Sequence, residues 1–164
     1  MILIAAIATA IACAVVAGVF FAFSSFVMRA LTRIPPEQGI AAFQSINIVV
    51  INPVFMTALF GTGIACAVWA VYAVMQWQGA ATACLIGASL SYLLGTIVVT
   101  IVCNVPLNDA IAAMNPASSN AASLWAEYAR QWTAWNHVRT ISGIVAAALF
   151  LIAISLVPNP LTFR

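Results

Sequence analysis

The sequence predicts an all-α integral membrane protein, built as an antiparallel up-and-down four-helix bundle. Of its 164 residues, 65% are hydrophobic and only 5% are charged, and the mean hydropathy is +1.14. A soluble domain carries roughly 25% charged residues, so this composition indicates a membrane protein. A spanning helix needs about 20 apolar residues, and the chain has room for about four of them.

The predicted helices lie in one transmembrane domain, 1–164, at about 2–31, 36–75, 80–103 and 121–157. Pro35 and Pro36 end the first helix, because proline lacks an N–H and restricts the residue before it. The short turn 76–79 makes helices two and three antiparallel neighbours. Pro53 is expected to kink helix two and to free the carbonyl near Val49.

The placement of the arginines predicts the topology. The first and third connections share one side of the membrane, and most arginines fall there: Arg29, Arg33, Arg130 and Arg139. Only Arg164 falls on the other side. By the positive-inside rule, both loops are cytoplasmic and both termini lie outside. The expected location is a bacterial inner membrane.

Some partners and sites are excluded by composition. No basic cluster accompanies the net charge of +2, so no nucleic-acid partner is expected. The four cysteines form no C-x-x-C and match no zinc spacing. Cys13, Cys66 and Cys84 suggest only small buried apolar residues, and no function is assigned to them.

The segment 125–140 contains the only histidine and most of the tryptophans. Read as a helix, it has an aromatic stripe at spacings of three and four, formed by Trp125, Tyr128, Trp132 and Trp135. A polar stripe is expected roughly opposite, with Asn136 beside it: Arg130, Thr133, His137 and Thr140. A segment this polar and aromatic, followed by an apolar run, is predicted to lie at the membrane boundary.

Polar side chains from all four helices fall at one depth on the arginine-rich side. They are Ser24, Ser25, Asn47, Asn52, Asn104, Asn108, Asn136, His137 and Arg139. Facing lipid is costly for such groups, so we expect them to turn inward and form a pocket lined by aromatic residues, including Phe26, Trp132 and Trp135. The alternative is that they are only hydrogen bonds between helices and an interfacial tryptophan belt.

The chemistry open to this pocket is limited. The sequence offers no Ser-His-Asp set, paired carboxylates or phosphate loop. A lone histidine can act as a general base or as an axial ligand, so copper, iron or haem held through His137 stays open, although no cofactor or metal site is predicted. A base could deprotonate a phenolic substrate while asparagine amides hold the oxyanion, and such an enolate can react with dioxygen.

The chain resembles the anthrone oxygenase-like family of small four-helix membrane proteins. The matching stretches are A-F-Q-S-I-N-I-V-V-I-N-P-V-F-M in helix two, L-L-G-T-I-V-V-T-I-V-C-N-V-P-L-N-D-A in helix three and W-T-A-W-N-H-V-R-T in helix four. Fungal members oxidise anthrones to anthraquinones with dioxygen, and many bacterial members have no assigned substrate.

The resemblance implies a site formed by Asn47, Asn52, Asn104, Asn108, Trp135, Asn136, His137 and Arg139. In it, His137 would be the base or ligand, and Arg139 or the asparagines would hold a phenolate. The expected function is a membrane oxygenase or oxidase acting on a lipophilic phenol, anthrone or quinol. The alternative is a non-catalytic module that binds or carries a hydrophobic small molecule or a partner helix, and as a carrier it would need a homo-oligomer.

Overall fold

The computed structural model describes residues 2–77 and 79–156, which form helices and contain no strand within those ranges. Four helices are long and apolar enough to cross a membrane: α1 Ile2–Leu31, α3 Pro53–Met75, α4 Ala80–Ala112 and α5 Ala121–Ser155. A shorter helix, α2 Pro36–Val49, connects the first two. The predicted all-α fold with four membrane-length helices is confirmed. The expected end of the last helix near residue 157 lies outside the described residues.

The central helix of the antiparallel bundle is α5, which packs along both α1 and α4, while α3 packs mainly on α4. Hydrogen bonds fix the register between these neighbours. Ser24 of α1 meets Thr140 of α5 at 3.2 Å, and Ser91 of α4 donates to the Ser142 carbonyl at 2.9 Å. Gly95 lies so close to Ser142 that a Cβ there would overlap its side chain. Small residues therefore let the central helices approach closely.

The outer surface of the bundle is apolar, as a hydrocarbon environment requires. Large side chains such as Ile4, Val68 and Ile141 are exposed on it. The interior holds two clusters. One contains Cys13, Cys66 and Phe150, and the cysteines are fully buried there, as expected of small apolar residues. The other, described below, lies at the end of the bundle that carries Arg29, Arg33, Arg130 and Arg139, which we call the arginine end.

The helix α2 begins at the position that its sequence suggests. Pro36 occupies its first turn together with Glu37, where a missing N–H costs nothing and an acid suits the helix dipole. Gly39 lets α2 approach its neighbours, because a Cβ there would lie 2.8 Å from the Leu31 carbonyl and 3.0 Å from the Trp125 ring. The helix therefore lies against the arginine end of the bundle.

The predicted helix 36–75 is interrupted, which is a larger change than the kink expected at Pro53. Residues 50–52 are non-helical, and the chain resumes as α3 with Pro53 in its first turn. Asn52 caps this start: its Oδ1 accepts from Phe55 N at 3.0 Å, and its Nδ2 donates to the Val49 carbonyl at 2.9 Å. The carbonyl expected to be freed near Val49 is thus satisfied by a neighbouring side chain.

The helix α4 extends to Ala112, well beyond the expected end near residue 103. Pro106 does not stop it. The residues before it, Thr100–Asn104, are π-helical, and an α-helical segment restarts at Val105 with the proline in its first turn. At that position the missing N–H is tolerated, so the helix continues and carries Asn108 and Asp109 over the arginine end.

Three of the spanning helices contain π-helical segments: Phe23–Val27 in α1, Thr57–Gly61 in α3, and Leu93–Val98 and Thr100–Asn104 in α4. Such segments are frequent at functional sites. Phe23, Leu59, Phe60 and Thr100 from these segments line one cavity. Three of the four π-helical segments therefore border the same cavity, and Leu93–Val98 does not.

Candidate functional site

A cavity of about 750 Å³ lies at the arginine end, and all five helices contribute to its walls. Its walls are mainly apolar and aromatic, with phenylalanines and one tryptophan from four of the helices: Phe20, Phe23, Phe43, Phe55, Phe60 and Trp132. Its polar lining residues are few: Gln44, Asn47, Thr100, Asn108, Asp109 and Arg139. An apolar cavity with a few convergent polar groups is the usual form of a small-molecule site.

Arg139 is the central polar group of this cavity, although only 4% of its surface is exposed. Its Nη2 donates to Asn136 Oδ1 at 2.7 Å, and its Nη1 donates to Thr100 Oγ1 at 3.4 Å. The amide of Asn136 in turn donates to the Phe20 carbonyl and to Ser24 Oγ, each at 2.7 Å. This network joins α1, α4 and α5 and fixes the position of the guanidinium.

Two aromatic rings also hold the guanidinium. Arg139 Cζ lies 4.2 Å from the centroid of the Phe20 ring and 5.1 Å from that of the Trp132 ring. Both distances allow cation–π attraction. These rings orient the arginine and exclude water, but they supply no negative charge.

Arg139 lacks a carboxylate partner. Within residues 2–77 and 79–156, the one ion pair joins Arg130 to Glu127 on the exposed surface. The Nε of Arg139 also has no hydrogen-bond partner among the described residues. A buried charge is normally paired, so Arg139 is a candidate contact for an anionic group of a ligand.

Asparagines supply further polar groups around the cavity. Asn108 Oδ1 accepts from Trp132 Nε1 at 2.9 Å and from the Tyr128 hydroxyl at 3.3 Å. Asn47 lines the cavity, and its Nδ2 has no partner in the described part of the chain. Asn104 is fully buried behind the wall, where its Nδ2 donates to the Trp132 carbonyl at 3.3 Å.

An aromatic cluster supports the cavity wall under α2. Phe43 is fully buried and contacts Trp132, Tyr128 and Trp125, with ring centroids 5.1, 5.4 and 6.1 Å away. Gln44, the next residue, donates to two carbonyls at the end of α4, those of Ile111 and Met114. α2 is therefore held against both α4 and α5, so the cavity wall has a fixed shape.

The sequence of this chain matches a known protein family. A family model described as anthrone oxygenase matches residues 53–149, more than half of the 164 residues. The chain belongs to the anthrone oxygenase family. No curated protein and no solved structure matches the chain. The predicted family resemblance is thus confirmed.

In this anthrone oxygenase family member, the matched residues 53–149 form α3, α4 and most of α5. It includes Asn108, Asp109, Trp132 and Arg139 of the cavity. The α1 and α2 walls, with Phe20, Phe43 and Asn47, lie outside the matched region.

Six of the predicted site residues come together in or directly behind the cavity: Asn47, Asn104, Asn108, Trp132, Asn136 and Arg139. Asn52 has another place, since both ends of its amide are used to cap the start of α3. Trp135 and Phe26 are 42% and 61% exposed on the outer surface. They do not line this cavity, because both point away from the bundle interior.

His137 is separated from Arg139, although the two are close in sequence. It is exposed and lines a second groove, between α1 and α5 on the outer face of the bundle. The residues described contain no group of three or more His, Cys, Asp or Glu side chains that could hold a metal ion. The roles of His137 as a base or as a metal ligand stay predictions.

Several cavity residues were not singled out by sequence reasoning. They are Phe20, Phe23, Phe43, Thr100 and Asp109. For Asp109 a signal was present in the stretch N-V-P-L-N-D, where it directly follows Asn108. The expected helix end near residue 103 hid it, because a loop residue there would not belong to the bundle.

Proposed function

We propose that this anthrone oxygenase family member is a membrane-embedded oxygenase, and that it binds a lipophilic phenol, anthrone or quinol as its oxyanion beside Arg139. The observation that carries the proposal is the buried guanidinium without a carboxylate partner. Arginine stays charged when buried. A substrate that becomes negative at one oxygen supplies the missing charge.

The shape of the cavity supports a flat aromatic substrate. Its volume of about 750 Å³ lies within the range usual for small-molecule sites. Phe20, Phe23 and Phe43 offer ring surfaces on which a polycyclic compound can pack. Binding energy from these walls would orient the substrate oxygen toward the only positive charge of the cavity lining.

Two donors without partners in the described chain belong to residues that line the cavity, Arg139 Nε and Asn47 Nδ2. Both atoms are buried, so a small movement of each side chain would turn them toward the oxyanion. Donors aimed at such an oxygen stabilise charge that develops during reaction. Trp132 Nε1 is already engaged by Asn108, so Asn108 acts by positioning the ring beside Arg139.

For the proton transfer, the geometry supports Asp109 better than His137. Asp109 is the only carboxylate in the cavity lining, and within the described residues its side chain makes no ion pair. His137 opens on the other groove. Asp109 is exposed, and an exposed carboxylate in the lining can accept a proton from an acidic C–H or O–H group and exchange it with water.

The proposed reaction needs only an anthrone and dioxygen as reactants. Asp109 takes a proton from the methylene carbon of an anthrone, and the C–H electron pair becomes the enolate held by Arg139. Dioxygen forms a C–O bond at that carbon. The outer oxygen of the peroxide formed takes the proton back from Asp109. Loss of the second methylene hydrogen as a proton with cleavage of the O–O bond then leaves the quinone carbonyl and expels hydroxide, and this hydroxide and proton combine as water. The carbon is oxidised and dioxygen is reduced.

The test is oxygen uptake and quinone absorbance with an anthrone, using purified protein in detergent. Arg139→Gln is expected to lower kcat/KM by about 100-fold or more, as loss of an oxyanion donor does. Arg139→Lys should recover part of it, because the charge returns without the planar fork. The control is Arg33→Gln, at the same end of the bundle but outside the cavity. Unchanged turnover in Arg139→Gln would refute the proposal.

A second comparison separates the two candidate bases. Asp109→Asn is expected to reduce turnover by about 10²–10⁴-fold, while His137→Gln leaves it near the parent value. The reverse ranking would return the base to His137.

The interrupted α2–α3 connection favours one alternative function, because broken helices often border binding sites in carriers. A non-catalytic binding module predicts quenching of Trp132 fluorescence by an anthrone without any oxygen uptake. Oxygen uptake that depends on Arg139 would exclude that alternative.

A further inference from the structure

A second cavity of about 780 Å³ runs along the outer face of the bundle between the end of α1 and the first half of α5. We call it the lateral groove. Its lining includes Arg29, Arg130 and His137, and no carboxylate. It is separate from the cavity around Arg139, with which it shares no lining residue.

The basic side chains of the lateral groove are available to a ligand. In the described chain, Arg29 and His137 form no ion pair, and both are exposed. Arg130 pairs with Glu127 at 2.6 Å, where both side chains are more than half exposed. Such surface pairs contribute little, so an arriving anion can compete for Arg130.

The depth of the groove matches the membrane boundary. Arg29 lies in the last helical turn of a membrane-length helix, and α2 begins soon after it. Phe21 and Phe26, on the same part of α1, are exposed apolar side chains, as expected where a helix faces lipid. His137 lies seven residues beyond Arg130 along α5, about 10 Å deeper at 1.5 Å per residue.

We propose that the lateral groove binds an anionic phospholipid, with Arg29 and Arg130 holding the headgroup phosphate and His137 lying beneath it. Guanidinium groups match phosphate geometry through paired hydrogen bonds. Basic pockets between membrane helices are suited to anionic headgroups. The groove lies beside the bilayer, so the phosphate comes from a lipid, and its acyl chains follow the apolar surface of α1.

The test measures lipid retention by native mass spectrometry of the full chain in mixed micelles. Phosphatidylglycerol is compared with phosphatidylcholine, which has the same phosphate but no net charge. Retention of phosphatidylglycerol is expected to be stronger, and Arg29→Gln should weaken it about tenfold, which corresponds to ~1.4 kcal/mol. Because Arg29 is exposed, the substitution leaves the core packing intact.

The matched control is Arg33→Gln, which removes the same charge four residues away but does not touch the groove. It should retain phosphatidylglycerol like the parent. Equal losses in Arg29→Gln and Arg33→Gln would mean general surface attraction and would overturn the proposal, as would equal retention of the two lipids.

A competition experiment distinguishes a lipid from a free anion. Inorganic phosphate at millimolar concentration should leave lipid retention unchanged, because it lacks the acyl chains that pack on α1. Displacement of the lipid by phosphate alone would assign the groove to a soluble anion instead. His137→Gln should weaken retention less than Arg29→Gln does, and an equal or larger loss would overturn the placement of the phosphate.

Discussion

Arg139 is both charged and buried, and burial opposes the charge. Its guanidinium is removed from water inside a bundle with an apolar surface, where charged groups are costly. The contacts that remain, with Asn136, Thr100 and two aromatic rings, are neutral. Residues with this cost are expected where function needs them, which supports the proposed role of Arg139 in binding an anionic substrate.

The free energies of unfolding of two variants should show whether the buried charge of Arg139 destabilises the ligand-free protein. Arg139→Met removes the buried charge, and the free energy of unfolding of the ligand-free protein should stay near the parent value or rise, since a buried charge without a charged partner is costly. Asn136→Leu leaves the guanidinium without its nearest acceptor and should be destabilising by about 1–3 kcal/mol or more, because a buried charged donor is left unsatisfied.

The measurement is thermal or dodecyl sulfate denaturation of both variants in the same detergent. If Arg139→Met lost more stability than Asn136→Leu, the arginine would be a structural residue, and the argument from an unpaired charge would fail.

Helix periodicity explains which site residues could be predicted from the sequence. Trp132 and Arg139 are seven residues apart, two helical turns, and so share one face, and both line the cavity. Trp135 continues the spacing of three and four but rotates away from that face, and it is exposed. The sequence pattern thus predicts the aromatic part of the α5 face that lines the cavity. It does not distinguish inward-facing from outward-facing tryptophans, because the exterior of a membrane bundle is also apolar.

At the level of elements, the interruption between α2 and α3 shapes the cavity. Ile46, Asn47 and Ile48 at the end of α2, Val50 and Ile51 in the break, and Phe55 and Met56 of α3 all line it. An unbroken helix would present only one face to the cavity. Because of the break, residues from α2, from the interruption and from α3 can all line the cavity.

The cap at this break can be tested with two asparagines in equivalent positions. Asn52→Ala should destabilise the protein by about 1 kcal/mol or more, because the side chain satisfies Phe55 N and the Val49 carbonyl. Asn120→Ala is the control, since Asn120 precedes α5 without a side-chain cap.

Denaturation midpoints of the two variants, measured under identical conditions, check this. Equal midpoints would contradict the capping role of Asn52.

The elements also show where sequence reasoning reached its limit. Pro53 correctly predicted a weak point in the second helix, because proline cannot continue the hydrogen-bond ladder. Pro106 obeys the same rule, yet α4 passes through it, because an α-helical segment restarts at Val105 after the π-helical one and holds the proline in its first turn. A π-helical segment has no clear sequence signature, so the position of Asp109 on a helix was not predictable.

For the whole molecule, the arginines mark one end of the bundle and predict its orientation in the membrane. Both connections at the arginine end are predicted to be cytoplasmic. In a parent protein whose native cysteines lie within helices, Trp77→Cys should react with a membrane-impermeant maleimide on intact cells. Ser119→Cys should react only after the membrane is disrupted. The opposite pattern would mean that the termini are inside.

The cavity wall at the break is continuous with the outer surface of the protein. Ile48 and Ile51 line the cavity and are also among the most exposed apolar residues. The site thus borders the hydrocarbon phase, and a polycyclic aromatic compound and dioxygen are both apolar. For the proposed function, turnover should accordingly depend on the mole fraction of substrate dissolved in the membrane. The aqueous concentration of substrate should act only through its partition into the membrane. The quinone formed would return to the same lipid phase.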